Sequence, residues 1–287
     1  LDEPLTPRPA LDGDSSADVA IVGGGMTGLW TAYYLSVARP GLRITLIERD
    51  ARPGGHTNTV TIDEEGTPVP IDTGFIVFNY ANYSHLAALF DELDVPVVKS
   101  NMSFGASIDG GRIEYALATL GAVFAQKKHL VHPKFLRMLR DILHFNAKAL
   151  AASQEPGLTI GGLLEKLGTG SWFRDYYLLP LSGAIWSTPL EKIMDFPAHA
   201  MMTFFENHAL LQATGQHQWY TVEGGSRAYV SRLESAMAHR GVDIRTGAAV
   251  AAVRRDEMGV QVKTWQGDWE GFDEVVFATH SDDTLKM

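Results

Sequence analysis

The sequence predicts an α/β fold: a doubly wound parallel sheet with an antiparallel addition, interrupted by a largely helical insert. Two observations lead to this prediction. Residues 18–48 show strand, helix and strand patterns in turn, and strand patterns return after about residue 218. Residues 116–211 instead carry apolar side chains at mostly helical spacing and are rich in aromatics. The sheet is therefore expected from the two ends of the chain and the insert from its middle.

We accordingly expect two domains. The first combines residues 1–80 with residues 216–287, and the second, the helical insert, comprises residues 81–215. With 287 residues and 45% hydrophobic content, the chain is long enough to bury a large core. Residues 1–17 are acidic and contain prolines but no apolar run, so we expect a disordered or loosely packed leader and not a signal peptide.

The first glycine-rich turn carries the strongest functional pattern. The strand ending at Val22 leads into this turn, and a second apolar strand ends at Glu48, twenty residues after Gly28. In a βαβ unit the first glycine permits a tight turn, the second lets the backbone approach a pyrophosphate, and the third lets the helix pack closely. The phosphates bind at the helix N-terminus, and the acid accepts hydrogen bonds from a ribose diol. The pattern predicts a Rossmann-like dinucleotide site that includes Gly23, Gly25, Met26, Thr27, Gly28 and Glu48.

The other elements follow from three kinds of pattern. Alternating β-branched and apolar residues predict strands, apolar residues three and four apart predict helices, and glycines with acidic neighbours predict turns. The resulting elements are a glycine-rich loop at 52–59, strands at 59–62 and 69–71, a helix at 83–93, a helix from about Pro133, a strand at 219–222, a helix at 226–239, and strands at 242–245, 248–254, 259–264 and 275–278.

The composition excludes several classes of function. The formal net charge of -10 argues against a general nucleic-acid-binding protein. The chain has no cysteine, which excludes a disulfide framework, a thiolate nucleophile and a thiolate metal site. There is no HExxH or GxSxG pattern, so we predict neither a metal site nor a serine hydrolase. No apolar run is long enough for a membrane span, and we expect a cytoplasmic protein.

The second glycine-rich loop distinguishes between cofactors. The strand end Glu48-Arg49 is followed closely by Gly54-Gly55-His56. This arrangement resembles the amine oxidase and protoporphyrinogen oxidase superfamily of FAD enzymes, in which a similar segment wraps the diphosphate and ribityl chain. A nicotinamide dehydrogenase has no need of such a loop.

Further segments resemble that superfamily in the expected order. Asp72-Thr73-Gly74-Phe75 is similar to its D-x-G segment near the flavin ring, and residues 180–192 are similar to a stretch of protoporphyrinogen oxidases and phytoene desaturases. Residues 223–226 resemble a G-G turn before a helix, and residues 247–250 and 278–280 resemble segments near the adenine and the pyrophosphate. The resemblance implies FAD as cofactor. It adds to the cofactor site Arg49, Gly54, Gly55, His56, Thr57, Thr73, Gly74, Phe75, Val250, Ala278 and Thr279.

The segments at 54–60 and 72–79 look closest to a bacterial branch of predicted NAD/FAD-binding, amine-oxidase-like proteins. Members of this branch are often linked with enzymes that modify fatty-acyl chains of membrane lipids. Family members continue well beyond the segment that matches Ala278-Thr279, with further substrate-domain strands and a C-terminal segment that contacts FAD. Because this chain stops at Met287, we expect it to be C-terminally truncated.

Several side chains have more than one interpretation from sequence alone. His56 is expected to donate to the flavin or phosphate, to form a covalent link to the flavin, or to be a solvated, hydrogen-bonded histidine. Trp186 is expected either to line the substrate cavity or to belong to the core. Core positions are favoured over an aromatic cage for Trp172, Phe173, Tyr176, Tyr177, Phe204 and Phe205.

A basic stretch stands out in this acidic chain, because no acid occurs between Tyr115 and Arg140. One reading is a solvated helix face. The other is a surface that meets phospholipid head groups, with an apolar stripe on the helix from Pro133 lying in the interface. The predicted stripe consists of Phe135, Met138, Leu139, Ile142 and Leu143, and the basic residues are Lys127, Lys128, Lys134, Arg137 and Arg140.

These observations lead to an FAD-dependent oxidoreductase that oxidises a C–N or C–C bond of a small hydrophobic or lipid-like substrate by hydride transfer to flavin N5. No catalytic acid or base is assigned. Two alternatives stay open: an NAD-dependent oxidoreductase, and a non-catalytic flavin-binding or membrane-surface protein.

Overall fold

The computed structural model describes residues 18–74, 77–186, 188–212, 217–256 and 259–287. The predicted leader at residues 1–17 lies outside the described residues. The strands are β1 (Asp18–Val22), β2 (Arg43–Ile47), β3 (Thr59–Glu64), β4 (Thr67–Asp72), β5 (Val97–Ser100), β6 (Gly105–Ile108), β7 (Ile113–Ala116), β8 (Trp219–Val222), β9 (Asp243–Arg245), β10 (Val250–Asp256), β11 (Gly259–Thr264), β12 (Trp269–Phe272) and β13 (Glu274–Phe277). The helices are α1 (Met26–Ala38), α2 (Ser84–Glu92), α3 (Leu120–Val123), α4 (Pro133–Ala152), α5 (Ile160–Leu167), α6 (Ser171–Phe173), α7 (Leu179–Trp186), α8 (Leu190–Ile193), α9 (Ala198–Asn207), α10 (Arg227–His239) and α11 (Ser281–Thr284), with a 3₁₀ turn at Lys127–Val131 and a π-helical turn at Arg174–Leu178.

The described chain divides into two compact units. Unit 1 runs to Val77 and includes His85–Val98 and Thr221–Met287, whereas unit 2 comprises Phe78–Ser84 and Lys99–Tyr220. The predicted domain boundary is therefore wrong for residues 85–98, which the sequence pattern assigned to the insert.

The reason is the apolar face of α2, which packs within unit 1. The Phe90 ring lies 5.1 Å from the Tyr229 ring of α10, and the Tyr33 hydroxyl of α1 donates a hydrogen bond to Glu92 at 2.6 Å. These partners are far from α2 in sequence, so its own periodicity predicts a helix but not the unit to which the helix belongs.

The main sheet of unit 1 is parallel, with strand order β13-β1-β2-β9. Ala20 and Ile21 of β1 are fully buried, as expected for a strand that is covered on both faces. Because neighbouring parallel strands require a crossover, α1 connects β1 to β2, and its inner face buries Leu29 and Ala32.

The predicted antiparallel addition is the three-stranded sheet β10-β11-β12. Val260 and Val262 of its middle strand form a small core with Ala20 and Ile47 of the parallel sheet. The α/β fold class is thus confirmed. Strand β12, which was not predicted, pairs with β11 from Val260 opposite Phe272 to Lys263 opposite Trp269.

Unit 2 is mainly helical and has its own core. This core is built around α4 and α5, with Phe135, Phe145 and Leu163 fully buried. The aromatic residues for which a core position was favoured all belong to it or pack against it, which confirms that interpretation. No helix in the described part of the chain is long and apolar enough to cross a membrane.

Unit 2 also contains a hairpin that the sequence analysis missed. Strands β6 and β7 pair in antiparallel register, with Ile108 opposite Ile113. The turn places Asp109, Gly110 and Gly111 at positive φ, which suits a tight connection. Ile113 and Tyr115 are buried against the helices, so the hairpin is stabilised by tertiary packing.

Candidate dinucleotide site

The turn between β1 and α1 needs two of its glycines for the packing of the chain itself. Gly23 has φ +103°, and a Cβ there would lie 2.8 Å from the carbonyl oxygen of Ala278. A Cβ on Gly28 would lie 1.8 Å from the Gly23 carbonyl oxygen. Both distances are far below van der Waals contact, so these glycines allow the tight turn and the close approach of α1 that the sequence predicts.

Gly25 is different, because nothing in the described part of the chain requires a glycine there. It is the N-cap of α1 at φ -70°, a value open to any residue, and an added Cβ would meet no described atom within 4 Å. No side chain caps the helix, and no acid lies in its first turn. Met26 and Thr27 are exposed at the same end. The N-terminus of α1 is thus an open, partly positive site suited to an anion.

The second glycine-rich loop lies directly against the first. The Gly54 N–H donates to the Gly24 carbonyl oxygen at 2.7 Å, and Gly54 forms a parallel bridge with Gly25. A Cβ on Gly55 would lie 3.0 Å from the Gly25 Cα. The structure therefore brings together two loops that are about thirty residues apart in the chain.

Arg52 holds the second loop in shape, and the sequence analysis did not single it out. Its Nη1 donates to the carbonyl oxygens of Pro53 and Thr57 at 3.2 and 3.1 Å, and its Nη2 donates to that of Gly55 at 3.3 Å. A guanidinium has several donors in a fixed plane, which lets one side chain serve three carbonyls. Nothing in the local pattern distinguishes this arginine from a solvated one.

Glu48 ends β2 beside the first glycine turn and is buried. Its Oε2 accepts from the Gly24 N–H at 2.6 Å, and its Oε1 accepts from the Asp50 N–H at 2.8 Å. A carboxylate oxygen can accept a second hydrogen bond, so both oxygens retain capacity for ribose hydroxyls. The adjacent Arg49 is exposed and pairs with Asp50 at 3.2 Å.

The first residues of the predicted adenine-side segment also lie near Glu48. The Ala248 N–H donates to the Glu48 carbonyl oxygen at 2.8 Å. Val250 begins β10 and is half-buried beside the small core of the antiparallel sheet. Val250 is therefore only two residues from Ala248, which contacts Glu48, the residue predicted to bind the ribose.

The Asp72-Thr73-Gly74 segment packs against the second loop. A Cβ on Gly74 would lie 1.8 Å from the His56 carbonyl oxygen, so only glycine fits there. The Thr73 N–H donates to the Asn58 carbonyl oxygen at 2.9 Å. Phe75, the fourth residue of the predicted segment, lies outside the described residues.

Asp72 stabilises the start of α10. Its carboxylate accepts from the Ser226 N–H at 2.9 Å, from the Ser226 hydroxyl at 2.6 Å and from the Thr59 hydroxyl at 2.5 Å. An acid at a helix N-terminus satisfies an otherwise unpaired N–H and interacts favourably with the helix dipole. The aspartate of the D-x-G segment and the Gly224-Gly225 turn are thus parts of one structural arrangement.

The remaining predicted residues surround the two loops. The His56 ring stacks on the His280 ring with centroids 5.4 Å apart. Ala278 follows β13, its N–H donates to the Val22 carbonyl oxygen at 2.8 Å, and Thr279 is bonded to Thr284 through their hydroxyls at 2.7 Å.

The Thr57 side chain is directed into the fold, so cofactor contact by this residue stays a prediction for its backbone. It is buried, and its hydroxyl lies 2.8 Å from the Tyr229 hydroxyl. Burial raises the pKa of the Tyr229 phenol, so this group stays protonated at neutral pH. The Thr57 side chain therefore supports the loop from behind.

Among the described residues, His280, Asp282 and Asp283 place potential ligand atoms within 4.8 Å of one another. The two acids are paired with Lys286 at 3.5 and 2.8 Å, and the side chains are largely exposed. Because Lys286 already pairs with the two carboxylates, we assign no metal site to this cluster.

In unit 2, Trp186 belongs to an aromatic cluster. Its ring stacks on Phe205 at 6.0 Å and lies 4.9 Å from Phe204. Trp186 is half-buried and packs against the core of unit 2, which is compatible with both interpretations, so substrate contact stays a prediction.

The open cradle at Gly25, the uncapped N-terminus of α1 and the two oxygens of Glu48 fit the diphosphate and ribose of a dinucleotide. The fold and this site define a dinucleotide-binding protein with a second glycine-rich loop. Residues 26–284 match the sequence model of the flavin containing amine oxidoreductase family. The chain belongs to this family, which confirms the predicted superfamily and FAD as the cofactor and sets aside the NAD-dependent alternative.

The chain is also similar to individual proteins. The chain is similar to a thiamine thiazole synthase of Aspergillus fumigatus, with 33% identity over 107 residues, 31% of this chain and 32% of that protein. Its fold resembles that of a putative protoporphyrinogen oxidase from Exiguobacterium sp. 255-15, with a TM-score of 0.64, 23% identity and coverage of 95% of this chain and 61% of that one. It also resembles a putrescine oxidase bound to putrescine, with a TM-score of 0.60, 21% identity and coverage of 92% and 58%. The chain thus spans about a third of the curated relative and about three-fifths of the two solved structures.

Proposed function

We propose that this chain forms the cofactor-binding part, and a section of the substrate-binding part, of an FAD-dependent oxidoreductase that acts on a hydrophobic substrate. The observation that carries the proposal is the contact between the two glycine-rich loops at the N-terminus of α1. Gly54 and Gly55 lie against Gly24 and Gly25, while a Cβ added to Gly25 would meet no atom of the described residues within 4 Å.

Different residues of unit 1 would bind different parts of FAD. The backbone of Gly25, Met26 and Thr27 would bind the diphosphate, because helix N-termini present N–H groups to anions. The Glu48 carboxylate would accept hydrogen bonds from the adenosine ribose. Arg52 would keep the second loop rigid through its three carbonyl contacts.

When bound, FAD supplies the electron acceptor, at flavin N5, for removal of a hydride from a substrate C–H bond. The chain's own contribution is to bind and orient the substrate and to exclude water. For the substrate, we propose an amine or a lipid-like acyl compound. The putrescine oxidase likeness supports the first class, and the resemblance to desaturases and to the bacterial branch supports the second.

The buried aromatics of unit 2 do not contribute to this choice, because they fill the core. A better candidate for substrate contact is Tyr80, which is 44% exposed and packs edge-on against Tyr220 at 4.9 Å. In the chain, Tyr80 follows the Asp72–Phe75 segment, which the family resemblance connects with the flavin ring. An exposed aromatic face suits an apolar or cationic substrate.

The first test is the visible absorption spectrum of the purified chain, followed by heat release and mass identification of the chromophore. A version of the protein extended beyond Met287 is measured in parallel. Released FAD from either version supports the proposal. A colourless extended protein that takes up no added FAD contradicts it.

The second test separates catalysis from binding alone. The FAD-loaded protein is mixed anaerobically with aliphatic amines and, separately, with unsaturated and saturated fatty-acyl compounds. Loss of the oxidised flavin absorption with one class identifies the bond that is oxidised. Stable FAD binding without bleaching by either class favours the non-catalytic flavin-binding alternative.

A further inference from the structure

Unit 2 exposes a surface that combines apolar and basic side chains, here named the basic apolar surface. Its most exposed apolar members are Leu120 and Val131, both 81% exposed. The apolar residues of this surface are Leu117, Leu120, Leu130, Val131, Leu136 and Leu143, and the basic residues are Lys127, Lys128, Lys134, Arg137, Arg140 and Lys148.

These residues belong to one region because α3, the 3₁₀ turn and α4 are anchored on the same buried ring. The Phe135 ring is stacked on His129 at 4.3 Å and lies 6.0 Å from Phe124, which directly follows α3. Leu136 and Leu143 are seven residues apart on α4, so they share one side of the helix. The three segments are therefore neighbours in unit 2, and each of them exposes apolar and basic side chains.

The structure corrects the apolar stripe that was predicted for α4. Phe135, Met138 and Ile142 are buried in the core of unit 2 and are not free to enter an interface. Leu143 is instead 60% exposed, and Leu136 and Leu130 are 41% and 53% exposed. Leu130, Leu136 and Leu143 are thus not part of the core, and they are available for contact with a partner.

The charge of this surface is opposite to that of the whole chain. Residues 115–148 contain six lysines and arginines and one acid, Asp141, whereas the complete chain has a net charge of -10. Asp141 is buried, lies 3.6 Å from Arg137 and 3.4 Å from Arg140, and accepts from the Gly170 N–H at 2.9 Å. It orders the two arginines and presents little negative charge to the outside.

We propose that the basic apolar surface docks on an anionic phospholipid membrane. Cations near the head groups and leucine or valine side chains at the acyl boundary are the combination that such an interface binds. A second copy of this chain is a poorer occupant, because a symmetric contact would oppose two basic surfaces. A nucleic acid would match the charge but not the protruding aliphatic side chains, which do not stack on bases.

The test is flotation of the full chain with vesicles of phosphatidylcholine alone and of phosphatidylcholine with phosphatidylglycerol. We expect binding to the anionic vesicles, weaker binding at high salt, and little binding to the neutral vesicles. The double variant Lys127→Gln with Lys134→Gln should lower the partition coefficient by about fivefold per residue, from the usual contribution of one cation near an anionic surface. The double variant Leu120→Ser with Val131→Ser should lower it by about tenfold or more.

Two matched variants control for charge and for hydrophobicity. Lys99→Gln with Lys192→Gln removes two exposed lysines outside the surface, and Leu285→Ser with Trp265→Ser removes two exposed apolar side chains in unit 1. Both should bind vesicles like the parent chain. All substituted side chains are exposed, so unchanged thermal unfolding is expected and is measured for each variant.

Three outcomes would overturn the proposal. These are absence of binding to anionic vesicles, equal binding to both vesicle types, and equal loss in the control variants. Concentration-dependent self-association that the Leu120 and Val131 substitutions abolish, without any vesicle binding, would assign the surface to a second copy instead.

Discussion

Gly25 offers the sharpest test of the dinucleotide site, because the protein itself makes no demand for a glycine at this position. In Gly25→Ala, the new Cβ meets no atom within 4 Å, and the backbone at φ -70° and ψ -174° is open to alanine. Alanine restricts the unfolded chain, which stabilises by about 0.4–1 kcal/mol, but it is a clearly poorer N-cap than glycine, and the two effects offset each other. The free energy of unfolding should therefore change by less than about 1 kcal/mol.

FAD binding should respond very differently to the same substitution. The methyl group would occupy the space through which a diphosphate approaches the backbone N–H groups at the start of α1. A hydrogen bond to a charged group contributes about 1.5–3 kcal/mol, so losing one such contact should weaken FAD binding by between about tenfold and a hundredfold. Affinity is measured by titrating the apoprotein with FAD and following flavin fluorescence, and stability by urea unfolding.

Two further alanine variants define the comparison. In Gly28→Ala, the Cβ would lie 1.8 Å from the Gly23 carbonyl oxygen, so this variant should lose about 3 kcal/mol or more of stability. In Gly271→Ala, the Cβ meets no atom within 4 Å and lies on β12, so FAD affinity should be unchanged. The reasoning is refuted if Gly25→Ala stays folded and binds FAD within about twofold of the parent affinity.

Three other predictions concern polar groups that are hydrogen-bonded or buried within their unit. Asp72→Ala removes the acceptor for the Ser226 N–H and hydroxyl, and urea unfolding should show a loss of about 2–4 kcal/mol; a loss below about 0.5 kcal/mol would contradict the capping role. Thr57→Val and Tyr229→Phe each break the hydroxyl pair, and a double-mutant cycle should give a coupling of about 1 kcal/mol, whereas additive effects would show that the pair contributes nothing. Burial lowers the pKa of the His129 imidazole below 6.5, so the unfolded chain takes up its proton at higher pH than the folded chain. The free energy of unfolding should therefore fall as pH drops through about 6.5 towards the folded-state pKa, and His129→Phe should reduce this slope in urea unfolding at a series of pH values.

Local patterns predicted much of unit 1 because the constraints there are local. Gly23 and Gly28 must be glycines for steric reasons within a six-residue turn, and the acid Glu48 follows at the spacing that a βαβ unit imposes. The helix predicted at 226–239 is observed at Arg227–His239, and the strand predicted at 259–264 is observed with those bounds. Spacing along the chain was sufficient in each case.

Other features could not be predicted because they depend on partners distant in sequence. The hairpin of β6 and β7 has only four residues in each strand and is stabilised by burial of Ile113 and Tyr115 under the helices. Arg52 acts through contacts with the folded second loop. Asp72 acts through contacts at the start of α10, a helix that begins 155 residues after it, at Arg227. Neither contact leaves a periodic signal in the sequence.

Local residue patterns and the family resemblance were sufficient to assign this chain to the α/β dinucleotide-binding proteins of a flavin-dependent family, with its glycine turns and ribose-binding acid at fixed positions. They were sufficient because a tight turn or a close contact between two backbone segments restricts which residue type can stand there. Packing between distant segments set which side of α4 is buried, to which unit α2 belongs, and how the two glycine-rich loops meet. Those outcomes depend on packing between segments far apart in the chain, where many side chains of similar hydrophobicity serve equally well and only the folded arrangement distinguishes core from surface.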